Sequence, residues 1–238
     1  MILYLFDIDG TLLHAHGSGR GAFDDVFAEH HGVAAASEGV RYGGKTDPAL
    51  VDEIFAARLG RAPNAGERAA FLDAYLPRLR ARLAQSPARP IDGAGDALAF
   101  LAARRDVRLG IATGNIRAGA DAKLASAGLA HWFELGGYGC DSDVRSELVA
   151  AAIARARMAP AIGSMTRGAR GRAAGDVREV VVVGDTVHDI AAARACAATV
   201  CAVATGSDSP EKLAHADAVF ASLAELPAWH VARFGDAG

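Results

Sequence analysis

The sequence predicts an α/β protein: a doubly wound parallel sheet with an inserted helical domain. Three observations predict it. Continuously apolar, β-branched runs alternate with alanine-rich helical stretches, the pattern of a parallel sheet covered on both faces. One long segment, from about His16 to Arg89, breaks that alternation and holds only helical patterns. Two of the apolar runs stop abruptly on aspartates, at the strand ends where open α/β sheets bind their ligands.

The first run, Leu3 to Phe6, stops at Asp7-Ile8-Asp9-Gly10-Thr11-Leu12. An unpaired carboxylate away from water is costly. Two acids one residue apart at the end of a buried strand therefore point to a cation beside a nucleophile, and a hard ion such as Mg²⁺ prefers carboxylate and carbonyl oxygens. In the helical segment, Ala22, Phe23, Val26 and Phe27 give one apolar face. Phe71, Leu72, Tyr75, Leu76, Leu79 and Leu83 give another at helical spacing. Pro77 is expected to kink or end that second helix. The domain reading is 1–15 with 90–238 as the α/β core and 16–89 as the helical insertion, Pro90-Ile91-Asp92-Gly93 being the return linker.

Further strands are expected over Val107–Ala112, Phe133–Tyr138, Val180–Gly184, Thr199–Ala204 and Ala218–Ala221. Helices are expected over Gly95–Arg105, Ala118–Ala127, Arg145–Ala156 and Asp189–Ala195, with Arg104 and Arg155 on exposed helix faces. The run Glu179 to Val183 stops on Gly184-Asp185-Thr186-Val187-His188-Asp189. With a helix starting after Gly184, Asp185 and Asp189 lie one turn apart on about the same face. Each aspartate is alternatively a helix cap; two acidic strand ends favour a shared metal. Residues 159–176, rich in Gly, Ala and Ser with Arg167, Arg170 and Arg172, read as a solvated loop.

Composition narrows the function. The 238 residues suit one large domain, or one with a small accessory domain. A net charge of -3 gives no overall basic field for nucleic acid or an anionic membrane. No stretch has the ~20 uninterrupted apolar residues of a membrane helix, and Asp7 interrupts the only apolar N-terminal run, unlike a signal peptide. The three cysteines, Cys140, Cys196 and Cys201, lack metal-type spacing and read as reduced thiols of a cytoplasmic protein.

Asp7-x-Asp9-Gly10-Thr11-Leu12, Thr113-Gly114-Asn115 after a strand, a later basic residue, and Gly184-Asp185-Thr186-x-x-Asp189 together resemble the haloacid dehalogenase superfamily, most closely its phosphoglycolate-phosphatase-like branch. The likeness spans essentially the whole chain. It implies a Rossmann-like core, a helical cap that closes over the active site, and a Mg²⁺-dependent phosphatase acting on a small phosphorylated metabolite. Asp9 is the second acid carried by phosphatases and phosphomutases of that superfamily and lacking in its dehalogenases.

Phosphoryl transfer needs a nucleophile, charge neutralisation and proton handling at the leaving group. Asp7 is the candidate nucleophile, forming an aspartyl-phosphate, and Asp9 the candidate acid and base. The resemblance implies that the Asp9 carbonyl also binds the metal, with carboxylates from Asp7 and Asp185 and with Asp189 binding directly or through water. The Thr113 hydroxyl and the Gly114 amide, next to Asn115, are candidates to hold the phosphoryl group; a simple turn is the plainer alternative. Most family members place a lysine between this segment and the last acids. Lys45, Lys123 and Lys212 do not suit that role, and the best match is Arg145, since arginine clamps phosphate bidentately.

Two glycine-rich segments, Gly17-Ser18-Gly19-Arg20 and Gly43-Gly44-Lys45-Thr46-Asp47, flank the expected mouth. Arg20 and Lys45 suggest a second anionic group on the substrate, as in 2-phosphoglycolate; the alternative is two solvated cap residues. Gly39 to Thr46 also fits a Walker A string, but no buried strand precedes it. The rivals to a phosphatase are a phosphomutase with the same nucleophile and a non-catalytic phospho-accepting or binding domain. No nucleic-acid or membrane partner is expected, and the protein is expected to be a monomer or homodimer.

Overall fold

The structure is a computed structural model and describes residues 1–158 and 176–236. Almost all of the 159–176 loop reading therefore lies outside the described residues. Six parallel strands form one sheet in the order β5-β4-β1-β6-β7-β8, with β1 Ile2–Phe6, β4 Val107–Ala112, β5 Gly136–Gly137, β6 Glu179–Gly184, β7 Thr199–Val203 and β8 Ala218–Phe220. Counted by their order in the sheet-forming chain, this is the doubly wound order 3-2-1-4-5-6. Successive strands run outward from β1 on one side, then restart beside it at β6. The crevice at this reversal lies between the ends of β1 and β6, the two strands that stop on aspartates.

Strand residues alternate between the two faces. Tyr4, Phe6, Leu109, Ile111, Val181, Val183 and Val203 join one core, with α4 (Ala94–Ala102), α5 (Arg117–Ser126) and α9 (Leu226–Phe234) against it. Leu3, Leu5, Val182, Val200 and Ala202 join the other, under α6 (Arg145–Met158), α7 (Val187–Ala195) and the short α8 (Pro210–Leu213).

Between β1 and α4 the chain leaves the sheet. The two-residue strands β2 (Leu13–His14) and β3 (Arg89–Pro90) pair antiparallel and tie the outgoing and returning segments together. Beyond them stand α1 (Ser18–His31), α2 (Asp47–Leu59) and α3 (Ala65–Gln85). Their core is aromatic: Phe23 meets Tyr75 at 4.7 Å between ring centroids, Phe27 meets Phe71 at 5.0 Å, and Phe27 meets Phe55 at 5.1 Å. Such pairs add stability beyond the area they bury. Thr46 caps α2, with Pro48 in its first turn, and an Asn64–Glu67 capping box starts α3.

Three expectations need correction. Pro77 does not end its helix; α3 runs through it to Gln85. Pro77 lies on the exposed face, while Phe71, Tyr75, Leu79 and Leu83 stay buried on the other face. The strand expected over Phe133–Tyr138 shrinks to Gly136–Gly137, because only those two residues pair with Ile111 and Ala112. Arg104 is not on an exposed face: it stacks 3.4 Å over the Phe100 ring and pairs with Asp236 at 2.6 Å.

Candidate active site

Asp7 is the first residue past β1. Its N–H donates to the Val183 carbonyl at 2.9 Å, which extends the sheet pattern and fixes the backbone beneath its carboxylate. The chain then turns: the Ile8 carbonyl accepts from the N–H groups of Leu12 and Leu13, and Gly10 takes a positive φ of 83°. Asp185 is the first residue past β6. Its Oδ1 accepts from the Thr11 hydroxyl at 3.0 Å, and its Oδ2 accepts from the Ser207 N–H at 3.1 Å. The carboxylates of Asp7, Asp185 and Asp189 offer oxygens that all lie within 4.8 Å of one another, and all three residues are buried.

Asp189 serves two structures at once. Its Oδ2 accepts from the Thr186 N–H at 3.0 Å and from the Thr186 hydroxyl at 2.7 Å, closing the capping box of α7. Its Oδ1 accepts from Arg145 Nη2 at 2.6 Å. Capping α7 thus does not take this residue away from the acidic cluster. Arg145 opens α6 and spans two acids, reaching Asp7 Oδ2 at 2.8 Å as well.

Burial raises the Asp7 carboxyl above the usual range; Arg145 works against that shift and Asp189 adds to it. Burial raises Asp185 further, helped by the charges of Asp189 and Asp7. Three buried acids share one arginine, so the cluster lacks positive charge. The donor set is all oxygen, which suits a hard divalent cation. The Asp9 backbone carbonyl, beside the cluster, accepts no hydrogen bond among the described residues. The residues present therefore fit a metal such as Mg²⁺.

Thr113 and Gly114 follow β4. The Thr113 N–H donates to the Gly137 carbonyl at 3.0 Å, and the Gly114 carbonyl accepts from the Asp47 N–H at 2.8 Å. Above these groups a cavity of about 530 Å³ opens between the sheet ends and the three inserted helices. Asp7, Asp9, Thr113, Gly114, Asn115, Arg145 and Asp185 all line it. Phe23, Tyr42, Leu50 and Tyr75 make its apolar wall.

A family model described as haloacid dehalogenase-like hydrolase matches residues 3–197. The chain belongs to that family. No curated protein matches it. Among solved structures, CbbY from Rhodobacter sphaeroides in complex with phosphate is 19% identical, with a TM-score of 0.70 over 94% of this chain and 95% of that one. A substituted form of CbbY in complex with xylulose-1,5-bisphosphate is 19% identical, with a TM-score of 0.71 over the same shares of 94% and 95%. A hydrolase from Pseudomonas syringae is 18% identical, with a TM-score of 0.70 over 99% and 100%. At these identities the likeness shows the fold.

Not every residue expected in this hydrolase site stands free in it. Lys45 lines the cavity, but its ammonium is paired with Glu53. Arg20 also lines it, donating to the Val40 carbonyl at 3.1 Å with its guanidinium 4.8 Å from the Tyr42 ring centre. No carboxylate pairs with Arg20 among the described residues. Residues 32–38, between α1 and the Gly39–Thr46 string, hold bends and turns and no strand, which removes the Walker A reading. Asp143 is drawn to the inserted helices, 3.7 Å from Arg68.

Sequence reasoning passed over Lys123. It is 5% exposed, reaching in from α5, and its Nζ donates to Asp9 Oδ2 at 2.6 Å and to Asn115 Oδ1 at 2.6 Å. A signal was present: Gly119, Ala120, Lys123 and Leu124 form the buried stripe of α5, and a lysine on such a stripe needs a partner. Asp47 stands at the end of the glycine-rich loop and, with Pro48, at the start of a helix as the sequence suggests. Its buried carboxylate accepts from the Ile116 N–H at 2.8 Å, and burial raises its pKa to about 6, with Lys123 opposing the rise.

Proposed function

We propose that this hydrolase is a Mg²⁺-dependent phosphatase that cleaves a small phosphomonoester through an aspartyl-phosphate on Asp7. The observation that carries the reading is the division of labour between two acids separated by one residue. Asp7 is buried against Arg145, whereas the Asp9 side chain is 43% exposed and turned into the cavity. One acid suits covalent attack and the other suits proton exchange with a bound ligand.

A divalent ion held by Asp7, Asp185, the Asp9 carbonyl and, directly or through water, Asp189 would neutralise charge on the phosphoryl oxygens. The protein supplies the rest. The Thr113 hydroxyl and the Gly114 N–H orient the phosphoryl group, and Arg145 adds positive charge beside it. An Asp7 oxygen attacks phosphorus as the bond to the leaving oxygen breaks, and Asp9 gives that oxygen its proton. In the second step Asp9 takes a proton from water, whose oxygen attacks phosphorus. Phosphate leaves and Asp7 is regenerated.

The substrate class we favour carries a second anion, as 2-phosphoglycolate does. Arg20 is the candidate to meet it. A cavity of about 530 Å³ has room for a longer carbon skeleton as well. Phosphate release measured over a panel of phosphomonoesters with Mg²⁺ tests the reading. Release equal to substrate consumption is expected, and excludes a phosphomutase. Asp7→Asn should abolish turnover in a protein whose circular dichroism is unchanged. More than a few per cent of residual activity would remove Asp7 as nucleophile.

A further inference from the structure

We propose that Lys123 is a positioning residue that selects which oxygen of Asp9 faces the leaving group. The inference rests on the reading of Asp9 as the acid.

Two donors converge on one oxygen. Asp9 Oδ2 accepts from Lys123 Nζ at 2.6 Å and from Asn115 Nδ2 at 2.8 Å. Asp9 Oδ1 accepts no hydrogen bond among the described residues. The carboxylate is therefore gripped through one oxygen and unpartnered at the other, in a cavity that both Asp9 and Lys123 line.

Lys123 also fixes Asn115. An ammonium only donates, so the Asn115 atom 2.6 Å from it must be the carbonyl oxygen. That sets the amide the right way round. Its Nδ2 must then be the atom that donates to Asp9 Oδ2, and to the Thr113 hydroxyl oxygen at 2.9 Å. One buried cation thus holds Asp9 directly, and holds it a second time through Asn115.

The packing leaves Lys123 little choice of position. Its side chain is 6% exposed. A Cβ built on Gly19 of α1 would stand 3.5 Å from its Nζ and 3.5 Å from the Tyr75 hydroxyl. Asp47 adds a second negative charge nearby. A nearly buried lysine held by two hydrogen bonds is a well-placed support for the carboxylate.

Gripping Oδ2 leaves Oδ1 to carry the proton given to the leaving oxygen, and later to accept the proton released by the attacking water. Lys123 exchanges no proton in either step.

The test is leaving-group dependence. An alkyl phosphate leaves as a basic alkoxide that needs a proton, whereas p-nitrophenyl phosphate leaves as a stable anion that hardly does. Lys123→Met is expected to lower kcat on an alkyl phosphate at least tenfold more than on p-nitrophenyl phosphate, with KM for either changed less than kcat. Placed in Asp9→Asn, the same substitution should cost almost nothing further, because the group it positions is gone. If Lys123→Met does not fold, Lys123→Gln carries the same comparison. Equal losses on both substrates, or a full additional loss in the Asp9→Asn background, would overturn the proposal and leave Asp9 as the acid. An Asp9→Asn variant that treats both substrates as the wild type does would overturn the acid assignment and the proposal together.

Discussion

Asp47 ties the inserted helices to the sheet at a measurable cost. It opens α2 yet its carboxylate is buried, accepting from the Ile116 N–H at 2.8 Å just before α5. Its pKa rises from an ordinary 3.8 to about 6 because burial outweighs the attraction of Lys123 and the Ile116 N–H. A carboxyl raised in the folded state favours folding while it is protonated. That contribution is complete below the unfolded value and is lost as pH climbs through about 6. At about 1.4 kcal/mol per tenfold change in proton affinity, ionising Asp47 costs the fold roughly 3 kcal/mol. Asp47→Asn keeps an acceptor for Ile116 and has no charge to bury. The stability of the wild type relative to Asp47→Asn should therefore fall by roughly 3 kcal/mol from about pH 4 to pH 7.5 and stay level above that. Urea denaturation followed by circular dichroism, at fixed Mg²⁺ and at several pH values, measures this difference. Taking it between the two proteins cancels every other titrating group they share. A difference that is flat with pH, or that grows in the wild type's favour as pH rises, would refute the reasoning.

Arg145→Ala should lower turnover on the order of 10³-fold through lost charge beside the phosphoryl group, and should destabilise the metal-free protein by about 3 kcal/mol by leaving two buried acids uncompensated. Arg157→Ala, on the exposed face of α6, is the control; equal effects in steady-state rates and melts would move the basic role elsewhere. Chelator should abolish activity and Mg²⁺ restore it, and Gly206→Ala should raise the Mg²⁺ midpoint at least about tenfold, a loss of about 1.4 kcal/mol, because a Cβ there would overlap the Asp185 carboxylate; an unchanged midpoint argues against Asp185 as a ligand. Arg20→Met should selectively lower kcat/KM for 2-phosphoglycolate against an uncharged-tail phosphomonoester, and Lys45→Met should do so less, since Glu53 already neutralises that ammonium. The reverse ranking would place the second anion at Lys45.

The acidic ends of β1 and β6 were legible in the sequence because burial makes an unexplained carboxylate conspicuous. Arg145 was singled out by its match to the family's lysine position, and the fold sets it against Asp7 and Asp189. Lys123 was not, since the expected role for a lysine was beside the phosphoryl group and this one faces Asp9. Its partners lie 114 and 8 residues away, so only the fold brings the three together. The pairing of Lys45 with Glu53 is a matter of rotamer and helix register on α2, which residue spacing alone leaves open. The β2–β3 ribbon is two residues per strand, too short for any periodicity. At Pro77 the sequence left two outcomes, a kink or an end, and the continuation of α3 to Gln85 excludes the end.

The loop before α2 has consequences for altering what the cavity accepts. A side chain at Gly43 would run into Ser207, one at Gly44 into His188, and one at Gly114 into the Lys45 carbonyl. The loop thus rests on the Ser207 and His188 side chains and, through the Lys45 backbone, on Gly114 after β4. A side chain at Gly114 would meet backbone that has nowhere to go, and Gly44, at a φ of 74°, would be strained by any larger residue. Selectivity in this scaffold is tunable from the wall instead. Tyr42, Leu50, Phe23 and Tyr75 face the ligand space from the inserted segment without bearing on those seats. Tyr42 and Leu50 are the positions to vary, since Phe23 and Tyr75 also hold the inserted helices together.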